Sequence, residues 1–140
     1  MAAFFKFEQF SEDLVKKVHD LHNDTLKVYL SNAAPSASGD AIKTDLAEIS
    51  AGNGYTAGGI DTQNAVSETG GTATVTAVDA AWTASGGAIG PFQYVGLYND
   101  TPTSPVDPLI GCWNYGSALT LNDGESLTVD FQGNSLLAVA

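Results

Sequence analysis

Apolar residues recur at helical intervals over the first 22 positions. Phe7, Phe10, Leu14, Val18 and Leu21 are spaced by three, four, four and three residues, which sets them on one stripe of a helix. Glu8, Glu12, Asp13, Lys16, Lys17 and Asp20 take the other faces. Ser11, Glu12 and Asp13 suit a helix start, where a side-chain oxygen caps open N–H groups and acids meet the positive dipole end. Asn23-Asp24 suits a stop. The pattern predicts an N-terminal arm and amphipathic helix over residues 1–23, packed on a second part of the same domain. Phe4 and Phe5 either continue the stripe or reach outward as an anchoring arm.

From Thr25 the period falls to two. Leu26, Val28 and Leu30 alternate with Thr25, Lys27 and Tyr29, as in a strand with one buried face. A loop follows over 31–40, marked by Pro35 and Gly39, and 44–49 fits either a helical turn or a strand. Residues 52–59, GNGYTAGG, are too glycine-rich for a regular element. Eight short runs then read as strands: 60–66, 72–78, 80–84, 92–98, 109–113, 118–121, 126–131 and 136–139. They are rich in Thr, Val, Tyr and Phe and are separated by glycine-bearing turns. Asp123-Gly124, between ALTL and ESLTV, predicts a tight hairpin with positive φ angles. Closely spaced strands without intervening helices predict a mainly β, antiparallel sandwich or barrel, jelly-roll-like, over 24–140.

The chain's 140 residues suit a single domain, and a hydrophobic share of 44% can furnish a core. Charge is unevenly distributed. All five lysines lie in residues 1–43 beside six acids, arginine is absent, and residues 44–140 carry ten acids and no base. The net charge of −11 argues against nucleic acid, which needs cations to displace phosphate counterions, and against anionic membrane surfaces. It favours a basic partner surface. With no basic-then-apolar start and no apolar run of membrane-spanning length, the chain reads as a soluble product of a cytoplasm.

Candidate chemistry is sparse. His19 and His22 lie one helical turn apart but lack further metal ligands, so they read as exposed helix residues and no metal site is expected. No nucleophile elbow, calcium ladder or phosphate-loop lysine is present. The glycines of 52–59 read as a demanding turn leading into a strand. Asp100 and Asp107 are carboxylates able to meet in space, although scattered acids ordinarily serve solvation. Trp82, Trp113, Tyr94, Tyr98, Tyr115 and Phe92 fit a core better than a sugar-stacking face. Cys112, the sole cysteine, reads as a small buried hydrophobe. Neither catalytic residues nor cofactors are expected.

The order of features adds a further expectation. The helix leads into DTLKVYLSNAAPS (24–36), then EISAGNGYTAGG (48–59), then AAWTASGGAIGPFQYVGLYNDT (80–101), and the chain closes with PLIGCWNYGSALTLNDGESLTVDFQGNSLLAV (108–139). This resembles small virion structural proteins of tailed bacteriophages, most of all capsid decoration, or cement, proteins. The resemblance implies a non-enzymatic protein on the outer head surface of the virion, made in the host cytoplasm. It also implies binding to the major capsid protein and a homo-oligomer, with a trimer favoured. Phe4, Phe5, Lys6 and Phe7 are then the expected partner contacts, unless their rings pack on the domain's own sheet. A tail or fibre component and a carbohydrate- or host-surface-binding β module are the alternatives.

Overall fold

The computed structural model describes residues 3–140, so Met1 and Ala2 of the expected arm lie outside the described residues. In chain order the elements are β1 (Ala3–Lys6), α1 (Glu8–Val15), β2 (Leu26–Ser31), β3 (Ile60–Asp61), β4 (Ala65–Thr69), β5 (Thr72–Thr76), β6 (Ala80–Thr83), β7 (Ile89–Asn99), β8 (Leu109–Leu121), β9 (Ser126–Val129) and β10 (Ser135–Val139). The strands form a five-stranded sheet in the order β1-β8-β7-β2-β3, a three-stranded sheet β10-β5-β4 and a two-stranded sheet β6-β9. Their pairings are antiparallel. The expected mainly β, antiparallel architecture with one N-terminal helix is the one observed.

Two hydrophobic clusters show how the layers meet. Leu26, Val28 and Leu30 of β2, with Val95 and Leu97 of β7, face Val75, Trp82, Val129 and Leu136 of the smaller sheets. On the opposite face of the five-stranded sheet, Tyr29, Tyr98, Leu109 and Cys112 pack with Phe7 and with Leu46 from the loop after β2. The central strands are therefore covered on both faces, and Tyr29 is buried although the alternation marks it as outward. Gly96 permits this packing, because a Cβ there would stand 2.6 Å from the Tyr29 ring.

The N-terminal stripe is not one helix. Ala3–Lys6 pairs with Asn114–Gly111 of β8, an outcome suited to consecutive bulky aromatics. The helix then closes at Val15, because Lys17 takes a left-handed φ of 67°. The Lys17 and Val18 N–H groups bond to the Leu14 and Asp13 carbonyls, the paired bonds of a Schellman close. Glycine ordinarily occupies that position, so a lysine there gave no stop signal. The expected helix cap at Ser11 is also displaced, since Phe7 holds the N-cap position with no side-chain bond.

The Asp123-Gly124 turn forms but does not make a hairpin. The Glu125 N–H bonds to the Asn122 carbonyl at 2.8 Å, and Gly124 takes a positive φ of 88°. Its flanking strands belong to different sheets: Leu121 pairs with Ile89 of β7, while Ser126–Val129 pairs with β6. Leu121 and Val129 both enter the shared core, so the corner carries the chain from one layer to the other. The expected run 60–66 divides into β3 and β4, separated by Gln63 at a φ of 52°. In β8 the pairing with β7 slips between Leu97↔Gly111 and Tyr98↔Leu109, leaving Ile110 as an extra residue. Such a bulge re-aims a side chain, and Ile110 accordingly joins the inter-sheet core while Leu109 and Cys112 face away.

Candidate interaction surface

The four residues expected at a partner contact divide between the two faces of β1. Phe7 is fully buried, and Phe5 packs edge-on against it at 5.3 Å, both within the cluster on the far face of the sheet. Phe4 and Lys6 take the other side. Phe4 is 40% exposed and lies on Trp113 at 4.8 Å. Gly111 makes room for it, since a Cβ there would meet the Phe4 ring at 2.3 Å. Lys6 is exposed and bonds to the Ser11 hydroxyl.

Phe4 and Lys6 form one wall of an open groove of about 410 Å³. Phe10, Leu14 and Val15 of α1 supply a second wall, and Leu137, Ala138 and Val139 of β10 a third. Ile110, turned inward by its bulge, contributes to the lining. Three of the large apolar side chains most open to solvent gather here: Phe4, Val15 at 87% exposure and Val139. A second hollow continues past Leu14 and Val139 toward Leu21, Val66 and Val75. The N-terminal and C-terminal strands thus meet around one apolar surface. Sequence reasoning located its Phe4 side but missed Val15 and the β10 side, because a folded sheet edge leaves no periodic mark.

Around the glycine loop, the charged and hydroxyl side chains are occupied with one another. Glu48 receives Lys43 Nζ on Oε1 at 2.7 Å, and the Tyr55 hydroxyl and Gly58 N–H on Oε2, each at 2.7 Å. Burial raises the Glu48 pKa, but these donors outweigh it and hold the carboxyl below the usual range. Lys43 also lies over the Tyr29 and Tyr98 rings at 4.9 and 5.5 Å. The glycine loop therefore does bind an anion, its own Glu48. Its positive-φ turn leads directly into β3: Gly59 has a φ of 82°, and a Cβ there would stand 1.8 Å from the Val28 carbonyl oxygen.

Neither histidine lies on α1, and of the two expected to be exposed only His22 is. His19 lies after α1, is 6% exposed and stacks edge-on with Phe10 at 5.1 Å. Asn99 explains its placement: the amide nitrogen donates to Asp24 at 2.7 Å and meets His19 Nδ1 at 3.1 Å, while the amide oxygen accepts the Thr101 N–H. That orientation makes Nδ1 an acceptor and places the ring proton on Nε2. His22 Nδ1 accepts the Val66 N–H at 3.0 Å. Among the described residues, no group of three metal-ligating side chains is assembled.

Asp100 and Asp107 do come together. Burial first, then the neighbouring Asp100 charge, raises the Asp107 pKa, and Lys27 bonds to Asp100 at 3.0 Å. Trp82, Trp113, Tyr98 and Phe92 are core residues, while Tyr94 and Tyr115 are half-buried. Cys112 is buried, and burial pushes its thiol up to about 12, so it stays protonated and unreactive at neutral pH.

Compared with protein-family models, with curated proteins and with solved structures, the chain matches none of them.

Proposed function

We propose that this chain is a virion structural protein, a capsid decoration protein that binds and stabilises an assembled phage head. The observation that carries this reading is the exposed apolar surface shared by β1, α1 and β10 on an otherwise acidic domain. Solvated side chains alone give no reason for Phe4, Val15 and Val139 to gather around one groove, whereas attachment does. The order of sequence features that resembles phage decoration proteins supports the same assignment. The internal occupation of Glu48, Lys43 and Tyr55 is in keeping with a scaffold rather than a catalyst.

On this reading the work is mechanical. Each subunit bridges major capsid proteins, and because it engages the assembled lattice, binding adds to the cost of taking the shell apart. Repetition over many sites, and a trimeric subunit, multiply the effect through avidity. The high negative charge keeps free copies apart before assembly.

The test is co-sedimentation of the purified chain with empty heads of the phage that encodes it, expanded and unexpanded, and with detached tails. Saturable binding to expanded heads, with a raised disassembly temperature, is expected. Binding to tails alone, or to neither particle, refutes the assignment.

A further inference from the structure

We propose that the groove between β1, α1 and β10 receives an extended segment of a partner protein as an added strand. That segment lies beside β1, rests alternate apolar side chains on Phe4, Val15 and Val139, and sets a carboxylate against Lys6. The inference deepens the attachment role proposed above and rests on it for the partner being a capsid subunit.

The backbone supplies the first argument. β1 is an edge strand of the five-stranded sheet. The Phe7 N–H bonds to the Ile110 carbonyl at 3.1 Å, and Phe5 is paired with Cys112. Antiparallel strands alternate between residues that bond to the neighbour and residues that face away. The N–H and C=O groups of Phe5 therefore point toward β8, and those of Phe4 and Lys6 toward the open edge. An edge of this kind is a template for another strand.

The side chains supply the second argument. Phe4 and Lys6 project from the same face as the groove, and Val15 and Val139 stand exposed across it. A strand laid along the edge buries one side chain in two, which matches apolar walls flanking a narrow slot. Among the described residues, Lys6 is the one charged residue lining the groove. Among the described residues, Lys16, Lys27 and Lys43 are paired with Glu12, Asp100 and Glu48, whereas Lys6 bonds only to the neutral Ser11 hydroxyl and Lys17, outside the groove, has no carboxylate partner. The groove thus offers an unneutralised cation on a chain of net charge −11, and the complementary occupant places a single carboxylate there. A second whole copy would bring a further −11 to the contact, so a segment from a different protein is the better fit.

The probe is a pair of capped heptapeptides alternating Val and Thr, one with Glu at a flanking position and the other with Lys. Titration into the full chain is followed by amide shifts and hydrogen exchange. The Glu peptide is expected to shift the Phe4, Lys6, Val15 and Val139 signals and to slow exchange at the Phe4 and Lys6 amides. It should bind about 2- to 5-fold more tightly than the Lys peptide, the scale of one exposed ion pair. Lys6→Glu should reverse that order. Val15→Asp, at a side chain that is 87% exposed, should keep the fold and lose both peptide and head binding.

No binding up to about 1 mM, an order that Lys6→Glu leaves unchanged, or self-association that protects the same amides without peptide overturns the proposal. Heads that bind Val15→Asp as tightly as the parent chain overturn the groove while sparing the attachment role. Heads that fail to bind the parent chain overturn the attachment role, with the peptide result standing apart.

Discussion

Replacing Tyr55 by Phe removes one oxygen from the centre of the Glu48 cluster and leaves the ring in place. The ring is nearly fully buried and lies 6.0 Å from that of Trp82, so the substitution opens no cavity of consequence. The hydroxyl has two partners: it accepts the Leu30 N–H at 3.0 Å and donates to Glu48 at 2.7 Å. Leu30 is fully buried in β2, so its N–H loses its acceptor without gaining water, a cost of about 1–3 kcal/mol. A hydrogen bond to a charged group is worth about 1.5–3 kcal/mol, but Glu48 keeps Lys43 and Gly58, so the lower end applies. Together the expected loss is about 2.5–4.5 kcal/mol, or roughly 10–15 °C in melting temperature for a domain of this size.

Urea unfolding of parent and variant measures the difference, with the m-value unchanged because the same surface is exposed. The gap should also depend on pH. The Glu48 pKa is depressed in the fold, so its stabilisation is complete above the ordinary value of about 4.3 and is lost as pH falls through the lowered one. A loss below about 1 kcal/mol at neutral pH would refute the reasoning, since it would mean the Leu30 N–H is satisfied some other way.

Other expectations follow from the same geometry. Burial, opposed by Asp13 and Asp24, lowers the His19 pKa, so stability should be complete above about pH 6.5 and fall as pH drops toward the depressed value. Urea midpoints measured from about pH 7.5 to about pH 5 should show that decline, and His19→Gln should flatten it. Asp107→Asn should raise stability slightly at neutral pH, because the folded state holds the Asp107 proton more tightly than the unfolded chain. The gain should vanish well below the ordinary aspartate value of about 3.9, and a uniform loss at all pH values would contradict it. Gly59→Ala should cost more than about 2 kcal/mol, since it combines a positive φ with a Cβ 1.8 Å from the Val28 oxygen. Thermal melting gives the comparison with Gly52→Ala, which has a positive φ but open space.

What could be read from the chain alone was governed by how local its cause is. β2 was legible because Leu26, Val28 and Leu30 alternate and pack to one side. The glycine turn was legible because only glycine suits Gly59. β1 was misread because Phe7, Phe10 and Leu14 keep a helical spacing even though Phe7 and Phe10 belong to different core clusters. The chain's passage between layers after Leu121 was hidden, because a turn residue specifies a local bend and not the strand that pairs beyond it. His19 looked exposed until Asn99, 80 residues away, supplied its partner. The candidate surface was half legible. Phe4 and Lys6 stood out as an apolar start with a cation, but Val139 reaches the same groove only through the folding of the last strand.

The most direct test of the central claim is hydrogen exchange of the full chain, free and bound to expanded, undecorated heads. Attachment through the β1, α1 and β10 surface predicts slowed exchange at the Phe4 and Lys6 amides and around Val15 and Val139, with the Gly58 and Thr83 regions unchanged. Protection confined to the opposite side of the molecule, or none at all in a sample where the chain remains on the particle, would contradict it.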